Sequence, residues 1–105
     1  MFTPRFPLIQ GRWNYLESDG TVCFMDIMQF GIGNQLSMTF SNGMNVTGNA
    51  NCVIDGNMLI RGQYTNCAGD FGQVFMRLFP DGSLRGQLQS NANGIVVAVS
   101  AQRLF

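Results

Sequence analysis

The stretch Gln35-Leu-Ser-Met-Thr-Phe-Ser-Asn-Gly43 decides the fold class. From Leu36 to Ser41 it alternates strictly between apolar side chains and small hydroxyl side chains. Alternation with period two places all the apolar groups on one face of a β-strand. The Asn42-Gly43 dipeptide that follows is a strong hairpin signal, because both residue types tolerate positive φ angles. These residues therefore predict a half-buried strand that turns directly into an antiparallel partner.

The same alternation recurs along the rest of the chain, between turn sequences rich in Gly, Asn and Asp. No stretch of ten or more residues carries apolar positions at helical spacing without interruption by Gly or Asn. An irregular lead, residues 1–10, is expected before a single β-domain, residues 11–105. Eight strands are predicted in this domain: 11–17, 21–30, 35–41, 44–54, 57–64, 71–79, 83–90 and 95–104.

Eight short strands joined by short turns predict an all-β antiparallel up-and-down meander. Such a meander closes most naturally into a small barrel, because closure removes the exposed strand edges. A two-sheet β-sandwich is the alternative architecture. Gly48, Gly62 and Gly86 fall at predicted inward positions, where they would allow the sharp coiling that a small barrel requires. Simple packing of small residues would explain them equally well.

The composition excludes several classes of function. The 105 residues include six Arg, six Asp plus Glu, no Lys and no His, so only 11% are charged and the net charge is zero, against a usual quarter. Nucleic acid and anionic membranes need clustered cations, so neither is expected as a partner. Without histidine or lysine, the chain cannot form a histidine-based catalytic triad, a histidine-rich metal site or a Schiff base. No cofactor, metal site or catalytic residue is predicted.

Cys23, Cys52 and Cys67 are an odd number of cysteines, so at most one intramolecular disulfide can form. Three buried thiols are the favoured interpretation, and a Cys52–Cys67 bridge is the alternative. No signal sequence opens the chain, which predicts a cytoplasmic protein, or a periplasmic or secreted one if a leader has been removed.

Gly11-Arg12-Trp13 lies in the first predicted strand, and Arg103 lies near the end of the last. A G-x-W at the start of an eight-stranded meander with a late arginine resembles the calycin group, which includes lipocalins, fatty-acid-binding proteins, avidins and small bacterial metalloprotease inhibitors. The resemblance implies that Trp13 plugs the closed end of a barrel and that Arg103 packs across its ring, with Gly11 as a third structural residue. It rests on three residues, and the chain lacks a second lipocalin motif and a helix after the barrel.

The second predicted strand has apolar residues on both faces, which leaves its register open. If Asp26 points inward with Met28, it needs a partner such as Arg77 or Arg103, or a ligand, because an unpaired buried carboxylate is costly. Outward exposure is the third alternative. Seven Met and nine Phe indicate an adaptable apolar interior, either filled or open to a ligand. The residues expected to contact a ligand are Trp13, Asp26, Met28, Phe40, Tyr64 and Met76.

Three functions remain open on these observations. The first is a non-enzymatic barrel that binds a small apolar or amphipathic molecule in its interior. The second is a protein–protein module: either a protease inhibitor acting through residues 1–10, as the metalloprotease inhibitors imply, or a homodimer formed through an outer patch of Leu59, Phe75 and Phe79. The third is a cofactor-free isomerase or cyclase that uses Asp26 with Tyr64 or Arg77.

Overall fold

The computed structural model describes residues 6–104, which form eight antiparallel strands in up-and-down order. Each strand pairs with the next, and β1 also pairs with β8, so the sheet closes into a barrel. The predicted barrel is confirmed and the alternative sandwich is wrong. No helix among these residues is long and apolar enough to span a membrane. The strands are β1 (Gly11–Glu17), β2 (Val22–Phe30), β3 (Gln35–Ser41), β4 (Val46–Ile54), β5 (Leu59–Asn66), β6 (Phe71–Leu78), β7 (Leu84–Ser90) and β8 (Val96–Arg103).

The turns before β4 and β5 are longer than predicted. The Asn42 side chain accepts hydrogen bonds from the backbone N–H groups of Met44 (3.0 Å) and Asn45 (2.9 Å), which extends the turn and leaves Met44 90% exposed. Met58 has a φ of 66° and so belongs to its turn rather than to a strand. Met44 and Met58 therefore lie in turns, outside the strands β4 and β5, whose predicted starts at residues 44 and 57 are wrong.

The register of β2 places Met25 and Ile27 in the interior. Asp26 and Met28 consequently point outward, which corrects their predicted place among interior ligand contacts. Asp26 pairs with neither Arg77 nor Arg103. Its Oδ1 accepts a hydrogen bond from Arg12 Nε at 2.8 Å on the outer surface, where the carboxylate stays hydrated. Both faces of β2 are largely apolar, but only one of them carries Asp26. That face points outward because burying the carboxylate would be costly.

Glycines in the barrel wall lie where neighbouring strands come very close. A Cβ atom on Gly62 would lie 2.1 Å from the carbonyl oxygen of Asn51, and one on Gly86 would lie 1.9 Å from that of Phe75. At Gly48 the corresponding distance, to the carbonyl oxygen of Thr65, is 2.9 Å. At these three positions only glycine leaves room for the neighbouring strand, which is compatible both with the predicted coiling and with simple packing of small residues.

The middle of the barrel is filled by side chains. Three of the methionines expected in the interior, Met25, Met38 and Met76, lie there and are almost completely buried. They pack with branched aliphatic residues contributed by several strands, including Ile27, Leu36, Ile54, Ile60 and Leu84. An eight-stranded barrel is just wide enough to be filled in this way.

Residues 6–10 cover one end of the barrel, which we call the closed end. Trp13 is 1% exposed there, and its Nε1–H donates a hydrogen bond to the carbonyl oxygen of Ile9 at 3.0 Å. The Arg103 guanidinium lies 5.0 Å from the centre of the indole ring and donates a hydrogen bond to the carbonyl oxygen of Leu8. Gly11, at the entrance to β1, has a φ of 139°, which side-chain-bearing residues rarely adopt. The three residues of the resemblance thus meet at this end.

Gln29 holds the covering segment in place. Its side-chain oxygen accepts a hydrogen bond from the Ile9 N–H at 2.9 Å, and its side-chain nitrogen donates to the carbonyl oxygens of Pro7 (2.8 Å) and Gly33 (2.6 Å). One amide thus satisfies three backbone groups from the lead and from the β2–β3 turn. This explains why residues without regular structure can cover the end of the barrel.

Candidate functional site

The opposite end of the barrel contains a cup of about 440 Å³. We call it the open-end cup. Its floor consists of Tyr15, Phe40, Tyr64 and Leu88, all buried residues of the inner wall. The Tyr15 and Phe40 rings lie 4.9 Å apart, centre to centre, in a tilted arrangement. The volume and the aromatic floor are typical of sites that bind small molecules.

Three carboxylates lie at the open end of the barrel, and we call them the acidic rim: Glu17, Asp19 and Asp70. Glu17 and Asp19 line the cup itself, and all three line a smaller adjoining cavity of about 200 Å³ that shares the Tyr64 and Leu88 side chains with it. Short turns between paired strands carry Asp19 and Asp70, so the antiparallel topology brings them to the same end. The open end therefore has an apolar floor inside the barrel and negatively charged groups toward the solvent.

Charge is segregated along the barrel. Within residues 6–104, every arginine–carboxylate ion pair lies away from the open end: Arg12 with Asp26, Arg61 with Asp55, and Arg85 with Asp81. Neither open-end cavity is lined by any of the arginines that the structure describes. The acidic rim consequently has no cationic partner in the described part of the chain.

Hydrogen bonds hold two of the rim carboxylates against the tyrosines. Tyr15 donates its phenolic hydrogen to Glu17 Oε2 at 2.8 Å, and Tyr64 donates to Asp70 Oδ2 at 2.9 Å. The Ser90 hydroxyl donates to the other oxygen of Asp70 at 2.6 Å. These bonds orient the tyrosine rings and fix the carboxylates at the mouth of the cup.

These contacts and burial shift the acidities of the site in opposite directions. Hydrogen bonds from Ser90 and Tyr64 lower the pKa of Asp70, which stays ionised. Burial raises the pKa of Glu17, so this carboxyl gains a proton at a higher pH than an ordinary glutamate. Burial and the bond to Asp70 raise the pKa of Tyr64 to about 12. The tyrosines therefore act as hydrogen-bond donors near neutral pH.

The six residues expected to contact a ligand lie in four different places. Phe40 and Tyr64 line the open-end cup, as a binding role requires. Trp13 lies at the closed end, and Met76 is buried in the filled middle. Asp26 and Met28 lie on the outer wall. The structure thus brings two of the six together at the cup, and their binding role remains a prediction.

Tyr15, Glu17 and Leu88 are site residues that the sequence reasoning missed. Trp13, Tyr15 and Glu17 follow one another at period two on β1, so the alternation that placed Trp13 in the barrel also indicates the other two. Leu88 lies on the inner face of β7, two positions after Gly86 in the same alternation. Nothing in the local sequence, however, shows which inward positions lie near an open end.

The remaining functional alternatives receive little support from the geometry. Asp26 on the outer wall and Tyr64 inside it cannot act on one substrate. In the proposed inhibitory segment, the backbone groups of Pro7, Leu8 and Ile9 are bound within the chain, and residues 1–5 lie outside the described part. The predicted dimer patch of Leu59, Phe75 and Phe79 lies on the outer wall, where the Arg85 guanidinium is 4.8 Å from the centre of the Phe79 ring, and its role in pairing subunits stays a prediction.

The three cysteines are free and differ in exposure. Cys52 is buried, Cys23 is half-buried in the wall of the cup, and Cys67 is exposed at its mouth, so the prediction of three buried thiols is wrong for Cys67. Cys52 and Cys67 form no bridge. Burial raises the pKa of Cys52 to about 12 and that of Cys23 to about 11. Since the thiolate is the reactive form, both are protected near neutral pH.

We expect Ellman's reagent to titrate the thiols of the native protein in the order Cys67, Cys23, Cys52. Cys67 should react first because it is exposed, whereas Cys52 should react only when the barrel unfolds. The Cys67→Ser variant should lose the fast phase and keep the other two. Equal rates for Cys52 and Cys67 in the native protein, or a single free thiol after unfolding, would contradict this arrangement.

Among the residues that the structure describes, no group of three or more metal-ligating side chains lies close enough together to hold a metal ion. No protein-family model matches the chain, and no curated protein matches it.

Proposed function

We propose that this chain is a calycin-like, non-enzymatic barrel that binds a small amphipathic molecule in the open-end cup. The apolar part of the ligand would lie on the aromatic floor, and a positively charged group would lie at the acidic rim. The observation that carries the proposal is an apolar cup of about 440 Å³ that is lined by Glu17 and Asp19 and adjoins a smaller cavity lined by Asp70 as well. None of these carboxylates has an ion-pair partner among the described residues.

The floor favours an apolar or aromatic ligand group. Tyr15, Phe40 and Tyr64 present ring surfaces, and apolar area removed from water contributes about 25 cal/mol per Å² to binding before the costs of association are subtracted. Phenolic rings also attract cations through their π faces, by about 0.5–2 kcal/mol. The tyrosines therefore complement both ends of the proposed ligand.

The rim favours an amine over an acid. Three carboxylates around one mouth repel an anion and attract a cation, and the partly enclosed position weakens the screening that water provides at an open surface. The calycin assignment is supported by Gly11, Trp13 and Arg103, which meet at the closed end. A binding rather than catalytic role is supported by tyrosine hydroxyls that already donate to carboxylates.

A matched set of ten-carbon amphiphiles tests the proposal by isothermal titration calorimetry. Decylamine should bind more tightly than decanol, and decanol more tightly than decanoate. The number of carbon atoms is the same in all three, whereas the head group changes from positive to neutral to negative, and the acidic rim attracts only the first. Glu17→Gln should weaken decylamine binding about tenfold, which corresponds to about 1.4 kcal/mol, and should leave decanol binding unchanged. Asp81→Asn is the matched control, since it removes one carboxylate near the closed end.

The pH dependence provides a second arm of the same test. Decylamine stays charged below about pH 10, so its affinity should fall only as the rim carboxylates gain protons. Because burial raises the pKa of Glu17, the fall should begin at a higher pH than the ordinary glutamate pKa, and this early part should disappear in Glu17→Gln.

Leu88→Trp separates binding in the cup from binding elsewhere. The larger side chain would fill the floor from inside and should abolish binding of all three amphiphiles while the barrel stays folded. Unchanged affinity in Leu88→Trp would place the ligand outside the cup. Decanoate binding as tight as decylamine binding would reject the role of the rim.

A further inference from the structure

The outer face of β2 carries a band of apolar side chains, which we call the β2 stripe: Val22, Met28 and Phe30 are exposed, and Phe24 is half-buried. Val22 is 68% exposed and Met28 65%, and Ile32 in the following turn extends the band at 75%. The nine residues of β2 span about 30 Å at a rise of ~3.3 Å per residue.

The neighbours of the β2 stripe leave it accessible. On β3, the residues opposite Phe24, Asp26 and Met28 are Ser41, Thr39 and Ser37, whose side chains are too short to cover it. On β1, the exposed Leu16 lies opposite Val22 and widens the apolar area. Exposed apolar side chains gathered on one face in this way are a feature of interaction surfaces.

One ion pair interrupts the stripe at its centre. Arg12 Nε lies 2.8 Å from Asp26 Oδ1, and the two side chains are 46% and 38% exposed. The Arg12 guanidinium also lies 4.9 Å from the centre of the Phe24 ring, which fixes its position. The stripe thus presents one positive and one negative group side by side, with apolar groups on either side along the strand.

We propose that the β2 stripe is the interface of a two-fold symmetric dimer of this chain. A two-fold axis that passes between the guanidinium and the carboxylate lays each Arg12 against the partner's Asp26, so that a second copy of the same surface complements the charges. Isologous interfaces require this self-complementarity. The apolar residues on both sides of the ion pair then pack against those of the partner.

Two further observations favour a second copy as the occupant. The described strands form a closed ring with no free edge, so association must use a face of the barrel. The net charge of zero means that two copies do not repel each other as a whole. This dimer does not depend on the proposed ligand, because the β2 stripe lies on the outer wall and the cup lies inside.

Charge reversal of each partner tests the dimer by sedimentation velocity. Wild-type protein should sediment as a dimer. Arg12→Asp places four negative groups at the two-fold axis and Asp26→Arg places four positive groups there, so each variant alone should be monomeric. An equimolar mixture of the two should recover a heterodimer, because the positive and negative surfaces again complement each other.

Two controls keep the result interpretable. Arg61→Asp makes the same charge change on the outer face of β5 and should remain dimeric, whereas Met28→Glu should be monomeric without altering the ion pair. Circular dichroism confirms that every variant is folded. Monomeric wild-type protein, charge-reversed variants that remain dimeric, or a mixture of monomeric variants that recovers no heterodimer would each overturn the proposal.

Discussion

Trp13→Ala is expected to destabilise the barrel by about 3–5 kcal/mol, the range for removing a fully buried tryptophan. The indole is 1% exposed and lies between the interior and the covering segment. Its loss leaves a cavity at the closed end and removes the hydrogen bond to the carbonyl oxygen of Ile9. Since domains of this size are stable by only about 5–15 kcal/mol, the urea midpoint should fall steeply.

Two further variants divide this effect into its parts. Trp13→Phe keeps an aromatic ring but leaves the Ile9 carbonyl group without its donor, which should cost about 1–3 kcal/mol. Arg103→Gln removes both the cation from the indole face and the hydrogen bond to the Leu8 carbonyl oxygen, and should cost about 1–2 kcal/mol. If Trp13→Ala cost no more than Arg103→Gln, the tryptophan would not be the support of the closed end that its burial indicates.

Gly86→Ala is expected to cost at least about 3 kcal/mol, at the upper end of the range for overpacking. The added Cβ would lie 1.9 Å from the Phe75 carbonyl oxygen and 2.6 Å from the Met76 Cα atom, and backbone cannot move aside as a side-chain tip can. The β6 and β7 strands would therefore have to separate. Thermal unfolding followed by circular dichroism should show a large loss of stability or no folded protein.

Gly56→Ala is the matched control, because a Cβ atom on Gly56 would meet nothing within 4 Å. Its turn does not require a positive φ, so the substitution should change stability by less than about 1 kcal/mol, toward greater stability. Equal effects at Gly56 and Gly86 would indicate that the close approach of β6 and β7 is not a constraint on the fold.

The strand pattern could be predicted because it rests on local information. Leu36, Met38 and Phe40 alternate without exception, and Asn42-Gly43 ends their strand at the predicted place. The register of β2 could not be predicted in this way, since Cys23, Met25 and Ile27 are as apolar as Phe24, Met28 and Phe30. The cost of burying the Asp26 carboxylate favours the observed register, but its ion-pair partner Arg12 lies opposite it only after β1 and β2 have paired.

The candidate site could be predicted only in part for a related reason. Alternation assigns Phe40, Tyr64 and Met76 to the interior, but it does not give their height along the barrel axis. Height depends on the stagger between strands and on which end residues 6–10 cover. The hydrogen bonds of the Gln29 side chain hold residues 6–10 in place, but in the sequence Gln29 cannot be distinguished from an ordinary surface glutamine.

The pairing of β1 with β8 also constrains the order in which the chain folds. Seven of the strand pairs join neighbours in sequence, whereas this one brings together residues such as Ser18 and Ala98, 80 positions apart. Because loop-closure entropy grows with the logarithm of loop length, closing this seam costs roughly 2–3 kcal/mol more than closing a hairpin. We therefore expect the β1–β8 seam to close late in folding, and a meander whose seam is still open presents two unpaired edges to other chains.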